Sequence, residues 1–165
     1  MGFRIRTRET EEDELFFERL NFESFRLTML RGQDISEEEA RERFIEFERS
    51  DLLDPWGPDH QVFFAEDDEG NLAGLIWLAR SEPFYVFKEG LVWIYNLHVV
   101  PEYRRSGLAR QLLAKAEEWT RQQGLNSIGL HVVDFNTAAR CLYESSGYRL
   151  VATHYESCFY EKTIL

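Results

Sequence analysis

Cysteine is scarce, with only Cys141 and Cys158 in 165 residues. Two such thiols supply neither a disulfide framework nor a zinc site of paired Cys-x-x-Cys type, and a chain this long needs no covalent staple. Both are expected to be reduced and inert. Proline is nearly as rare, four residues beside ten glycines, which excludes collagenous and low-complexity polymers. No segment reaches the roughly 18 consecutive apolar residues of a membrane span, and Met1 to Arg6 lacks the apolar centre of a signal peptide. A cytoplasmic chain with no membrane partner is expected. The four histidines, His60, His98, His131 and His154, are dispersed without ligand spacing, so no metal is implied. Positive charge is also short: 19 Lys and Arg face 30 Asp and Glu, a net −11. That field repels bulk DNA or RNA, and the pair Arg104-Arg105 makes no basic stripe, so no nucleic-acid partner is expected.

What is present is a globular composition, 44% apolar and 30% charged, at a length that fits one domain over 1–165. The charge is uneven. Residues 1–90 carry 11 basic against 23 acidic side chains, whereas 91–165 carry 8 against 7. A near-neutral half can hold an anionic cofactor while an acidic half draws in a cationic substrate. The acidic residues equally suit a solvated surface that promotes solubility, as in Glu37-Glu38-Glu39.

Hydrophobic spacing places the elements. Phe3 to Arg8 alternates as a half-buried strand does. Thr10 with Asp13 caps a helix whose Leu15, Phe16, Phe17 and Leu20 share a side, and Ser36 with Glu39 caps a second carrying Ala40, Phe44 and Ile45. Gln61–Ala65 and Leu72–Ala79 flank Asp67-Asp68-Glu69-Gly70-Asn71, a hairpin signal. Leu91–Val100, almost continuously apolar and closed by Pro101, is expected to be a central strand buried on both faces. Leu108, Leu112, Leu113, Ala116 and Trp119 mark one face of a helix ending at Gly124. A strand at Ser127–Val133, a short helix at Thr137–Ser146 and two closing strands follow. The sum is an α/β fold, a mixed central sheet of about seven strands flanked by about four helices. Pro83 to Phe87 reads either as an apolar interaction patch or as a strand extension.

The chemistry concentrates where the central strand runs into the third helix, at Glu102-Tyr103-Arg104-Arg105-Ser106-Gly107-Leu108-Ala109. Unpaired N–H groups at a helix N-terminus, a glycine that permits close approach and two arginines favour a phosphate or pyrophosphate. It is neither a Walker loop nor a dinucleotide fingerprint. An ordinary strand-to-helix turn with exposed arginines is the alternative.

Arg104 to Ala109 resembles the Gln/Arg-x-x-Gly-x-Gly/Ala signature of the GNAT superfamily of N-acetyltransferases. A second segment, Asn136 to Tyr148, resembles that family's Asn-x-x-Ala-x-x-x-Tyr-x-x-x-Gly-Phe/Tyr. The element order is similar to the family fold over nearly the whole chain. The resemblance implies an acetyl-coenzyme A-dependent enzyme with no metal. Residues 91–165 would form the cofactor-binding core and 1–90 the acceptor side, with the loop from about Arg26 to Ser36, including Met29 and Leu30, in contact with the acceptor. Arg104, Arg105, Ser106, Gly107, Leu108 and Ala109 would wrap the pyrophosphate, and Leu97, His98 and Val99 would pair their backbone with the pantetheine arm, as an added strand does. Asn136 would contact that arm, a role compatible with helix capping, and Tyr143 would protonate the departing thiolate. Without the resemblance, Tyr143 reads as a packed core aromatic.

The proton acceptor is less legible. The glutamate that some family members carry on the central strand is replaced by Trp93, and the strand has no acid between Leu91 and Val100. Five residues before Asn136, where many members have glutamate, stands His131; His98 is the second candidate, and both also suit hydrogen-bonded core positions. The missing glutamate leaves a second function open, a non-catalytic acyl-coenzyme A-binding regulatory domain. The acceptor is expected to be a primary amine: a cationic small molecule, a polyamine, or a peptide or protein amino group. Family resemblance also implies a possible homodimer.

Overall fold

In the computed structural model, residues 2–31, 33–51 and 53–164 are described. Strand β1 (Arg4–Arg6) leads into helix α1 (Glu11–Thr28) and helix α2 (Glu37–Asp51). Strands β2 (His60–Glu66), β3 (Leu72–Ser81) and β4 (Leu91–Val99) follow, then helix α3 (Leu108–Gln122), β5 (Ser127–Val133), α4 (Thr137–Ser145), β6 (Arg149–His154) and β7 (Ser157–Thr163). The strands make one sheet in the order β1-β2-β3-β4-β5-β7-β6. Only the central β4–β5 pair is parallel among the strand pairings described.

Local chemistry explains the boundaries. Thr10 and Asp13 form a reciprocal capping box at the start of α1, satisfying donors that the first turn leaves unpaired. Ser36 Oγ accepts from the Glu39 N–H at the start of α2. Between β2 and β3, Gly70 takes φ +83°, and Asp67 Oδ1 accepts from the N–H groups of Glu69 and Asn71 to tie the turn. Pro101 ends β4 and opens a 3₁₀ turn (Pro101–Tyr103), since proline has no N–H to offer a ladder.

The two faces of the sheet are covered differently. Helix α3 lays Leu108, Leu112, Leu113, Ala116 and Trp119 on one face, against Ile76, Leu78, Ile94 and Ile128. On the other, α1 sets Phe16, Phe17 and Leu20 over Val62, Phe64 and Leu75. Helix α2 packs on α1 through Phe22, Phe25, Leu30, Ala40 and Phe44. Each buried large apolar side chain contributes roughly 1.5–3 kcal/mol.

Four expectations need correction. Leu15 is 65% exposed, because it points away from the stripe of Phe16, Phe17 and Leu20. Leu30 is not an exposed acceptor contact but lies buried between α1 and α2, while its neighbour Met29 is 55% exposed. Pro83 to Phe87 does not extend a strand: Phe84 and Phe87 bridge each other across a tight turn with Tyr85 at φ +51°, and their rings pack against Trp93. Strand β4 is not buried along both faces. Its first four residues are covered or nearly so, but Tyr95 is exposed, because a bulge sets both Tyr95 and Asn96 opposite Trp77.

Candidate active site

The site begins where two strands part. β4 and β5 pair only at Val92↔Ile128, Trp93↔Gly129 and Ile94↔Leu130. Past Ile94, β4 continues to pair with β3 through Leu97↔Ile76, His98↔Leu75 and Val99↔Gly74, while β5 turns its other edge to β7. Residues Asn96–Val99 are thus left with one edge unpaired toward β5, the kind of edge to which an extended, amide-bearing chain adds as a strand. A cleft of about 900 Å³ occupies the gap, lined by Leu97, His98, Val99, Arg104 and Ala109 on one side and by His131, Asn136 and Tyr143 on the other.

Two glycines shape it. A Cβ on Gly74 would sit 2.8 Å from the His98 carbonyl oxygen, and one on Gly129 would meet Leu91 Cδ1 at 2.7 Å and the Trp93 ring at 3.0 Å. The 2.8 and 2.7 Å contacts are shorter than packing permits, and the 3.0 Å one is tight. Gly129 lets the indole of Trp93 lie across β5, where it packs on Phe84, Phe87 and Phe159.

At the N-terminus of α3, Gly107 takes φ +85° and Arg105 φ +62°, backbone that glycine adopts freely and arginine at some cost. Nothing lies within 4 Å of the place a Gly107 Cβ would occupy, so the constraint is the φ angle and the space above it is open. Among the described residues, the N–H groups of Arg105, Ser106 and Gly107 bond no backbone carbonyl, and they precede the unpaired amides of the first turn of α3. Ser106 Oγ accepts from the Leu108 N–H. The Leu108 side chain is core, 1% exposed, so only its backbone faces the loop. Arg104 folds back, Nε donating to the Val99 carbonyl at 3.2 Å, which keeps its charge at the cleft wall. The loop is anchored by Tyr103, whose hydroxyl donates to Asp67 Oδ2 at 2.7 Å. That bond pushes Tyr103 up to about 12 and, with the turn amides, holds Asp67 at about 2. The donors, the φ > 0 pair and the unpaired strand edge fit a nucleotide pyrophosphate joined to an amide-bearing arm.

Across the cleft, Asn136 caps α4, its Oδ1 accepting from the Ala139 N–H at 3.2 Å, which leaves its amide hydrogens for a ligand. Tyr143, two turns on, is 7% exposed and is wedged edge-on against Tyr148 with centroids 5.6 Å apart. Burial drives its phenol well above the ordinary 10.0, so it stays protonated throughout the neutral range, as a proton donor must.

The two histidines differ. His131 is open to solvent on one side, while its ring rests on Phe159 at 5.7 Å, and desolvation lowers its pKa. Among the described residues it makes no hydrogen bond or ion pair. His98 is 8% exposed and lies under α1. Its Nδ1 is 3.2 Å from Ser24 Oγ and its Nε2 3.7 Å from Glu23. Burial lowers His98 as well, the nearby Glu23 carboxylate opposing the shift. Ser24 and Asn21, which hold this strand to α1, were not singled out by the sequence; the one local signal was Asn96, an amide inside an otherwise apolar run.

The cleft is also lined by Leu27 of α1 and its C-cap Met29, by Tyr95 from the bulge, and by Tyr155 and Glu156 from the β6–β7 turn. Arg31, just beyond α1, stacks its guanidinium 3.5 Å from the centroid of the Phe135 ring. Phe17, Phe22 and Phe25 pack within the helix layers and are not among the residues lining this cleft.

Comparison with known proteins agrees with this geometry. The family model for the Acetyltransferase (GNAT) family matches residues 16–148. A mycothiol acetyltransferase from Thermobispora bispora is 31% identical over 89% of this chain and 46% of its own. The chain spans about half the length, or less, of most curated relatives it matches. A provisionally assigned acetyl transferase from Pyrococcus furiosus has TM-score 0.76 and 29% identity, covering 93% of this chain and 97% of its own. The fold is shared with spermidine N-acetyltransferase from Vibrio cholerae in complex with CoA and spermine, at TM-score 0.64 and 22% identity over 98% of this chain and 95% of that one. Among the described residues, no helix is long and apolar enough to cross a membrane.

Proposed function

The chain belongs to the GNAT acetyltransferase family, and we propose that it transfers the acetyl group of acetyl-coenzyme A to a primary amine of a small cationic molecule. The observation that carries this is the unpaired edge of β4 at Asn96–Val99, which faces a buried, protonated Tyr143 and ends at the amide-rich loop of α3. Bound acetyl-coenzyme A supplies a thioester carbonyl as the electrophile. In this proposal the backbone of Leu97, His98 and Val99 holds the pantetheine amides. The N–H groups of Arg105 to Ala109, with the charge of Arg104, hold the pyrophosphate, and the free amide hydrogens of Asn136 steady the arm. The Tyr143 hydroxyl gives its proton to the departing sulfur, and one of the two cleft histidines, His131 or His98, receives the proton that the ammonium form of the acceptor must lose before it attacks.

The walls of the acceptor end favour a small molecule. Leu27, Met29, Tyr95 and Tyr155 offer an apolar and aromatic lining, with Glu156 the carboxylate among the lining residues; such a surface accepts an aliphatic or ring-bearing amine with a second positive charge. The relatives named for mycothiol and spermidine act in the same direction. The test is thiol release from acetyl-coenzyme A by the purified protein across polyamines, aminoglycosides, amino acids and N-terminal peptides. Turnover with a small cationic amine is the expected result; turnover with peptides alone would overturn the small-molecule assignment.

A further inference from the structure

We propose that His98, coupled to Glu23 and Ser24, is the base that receives the acceptor's proton, a role that rests on the acetyltransferase reading above. Ser24 has one hydroxyl hydrogen but faces two groups that want it, Asn96 Oδ1 at 3.3 Å and His98 Nδ1 at 3.2 Å. Asn96 is itself fixed, its amide donating to Asn21 Oδ1 at 2.7 Å. On the other side of the imidazole, Nε2 faces the Glu23 carboxylate at 3.7 Å.

A neutral imidazole has a single N–H. With the hydrogen on Nε2, toward the carboxylate, Nδ1 must take the Ser24 hydrogen and Asn96 Oδ1 goes without it. With the hydrogen on Nδ1, Ser24 serves Asn96, but Nε2 presents a lone pair to a carboxylate. Only the imidazolium completes the chain: Nε2–H toward Glu23, Nδ1–H to Ser24 Oγ, and Ser24 O–H to Asn96 Oδ1. Taking up a proton therefore adds a contact to this network instead of breaking one.

Before the proton arrives the ring is neutral. Burial lowers His98 from its ordinary 6.5; Glu23 on α1 opposes that, while Arg104 from the loop and Arg19 on α1 reinforce it. A group that is neutral at rest and better satisfied when charged has the character of a general base. His131 lacks that second property, since its ring contact is Phe159. Ser24, Asn96 and His98 open on the same cleft as Tyr143.

The transfer balances. One proton leaves the ammonium for Ser24 Oγ while the Ser24 hydrogen passes to His98 Nδ1. The freed amine lone pair forms the N–C bond as the C–S bond of the thioester breaks, the sulfur takes the Tyr143 hydrogen, and the second amine proton, shed as the amide forms, restores the phenol.

The test joins two measurements on the full chain. Long-range ¹⁵N imidazole spectra, recorded without cofactor or amine, read the His98 tautomer and titration midpoint. The expected result is a neutral ring with hydrogen on Nε2 and a midpoint below 6.5 that falls further in Glu23→Gln. The pH profile of thiol release from acetyl-coenzyme A is then followed with the first amine of a panel (spermidine, an aminoglycoside, free amino acids, an N-terminal peptide) that turns over. Its acid limb should sit at the spectroscopic midpoint and move to lower pH in Glu23→Gln. His98→Gln, which can still bond Ser24 but takes no proton, should lose about 10²-fold in kcat with acetyl-coenzyme A affinity kept. A hydrogen on Nδ1, an acid limb indifferent to Glu23→Gln, or full turnover in His98→Gln would overturn the relay alone. No turnover by the unsubstituted protein with any amine of the panel would overturn the acetyltransferase reading and this role with it.

Discussion

Charged and polar side chains meet opposite surroundings at the β1–α1 corner and in the cleft beside β4. At the corner, Arg6 donates to both oxygens of Asp13 at 2.8 and 2.9 Å and to Glu66 at 2.9 Å, and Arg4 adds a bond to Glu66 at 2.7 Å. Asp13 is 1% exposed and also accepts from the N–H groups of Glu9 and Thr10. In the cleft, by contrast, the Tyr143 hydroxyl and the His131 ring have no hydrogen-bond partner among the described residues, and the loop amides at 105–107 find no carbonyl. The first arrangement locks the chain; the second keeps groups available to a ligand. Other arginines of residues 1–90 are also held in local pairs, Arg8 with Glu14, Arg41 with Glu37 and Arg43 with Glu39, and with 11 basic against 23 acidic side chains the excess carboxylates of this half keep its field negative.

Substitutions should separate the two regions. The largest effect is expected from Tyr143→Phe, which removes only the proton donor: kcat should fall by about 10²–10⁴-fold while acetyl-coenzyme A affinity and the urea midpoint stay close to those of the parent. Arg6→Ala should do the reverse. It leaves the buried Asp13 carboxylate without its cation, a loss of about 3–5 kcal/mol in unfolding free energy, with kcat of the surviving folded protein unchanged. A stability loss in Tyr143→Phe comparable to that in Arg6→Ala would erase the distinction.

Gly129→Val is intermediate in size and should affect both stability and the cleft, since it acts at the β4–β5 junction. The added carbons meet Leu91 and Trp93, so stability should drop by about 1–3 kcal/mol, and the pushed indole should disturb the β4–β5 junction, seen as weaker acetyl-coenzyme A binding by calorimetry. The smallest effect is on acid stability. Burial alone would raise Asp13; the Arg6 bonds and the two backbone amides overcome it and hold the group at about 2 against an ordinary 3.8. A carboxylate with a lowered folded pKa contributes fully above its unfolded value and loses that contribution as pH falls through the folded one. The paired corner should therefore cost the fold on the order of 2 kcal/mol between pH 5 and pH 2, a slope that Asp13→Asn abolishes in urea titrations.

Much of this was legible in the chain. The segments Arg104–Ala109 and Asn136–Tyr148 located both walls of the cleft, because a φ > 0 glycine before an amphipathic helix and an asparagine cap are local features. The boundaries of β5 and the capping residue of α1 were read to the residue for the same reason. What was not legible depends on contacts distant in sequence. Nothing local marks Tyr95 as a bulge residue inside Leu91–Val99, or Gly129 as the place where the Trp93 ring crosses β5. Ser24 and His98 are 74 positions apart, and only the docking of α1 on β4 brings them together. Met29 and Leu30 are adjacent and similar in hydrophobicity, yet one faces the cleft and the other the α1–α2 interface, a choice made by where α1 ends.

The most direct test of the acetyltransfer assignment is thiol release from acetyl-coenzyme A with a panel of small cationic amines, measured on the parent chain and on Tyr143→Phe side by side. Amine-dependent release by the parent, nearly lost in the variant at unchanged cofactor affinity, is the result predicted. Failure of the parent chain to bind acetyl-coenzyme A, or equal release by both proteins, would contradict it.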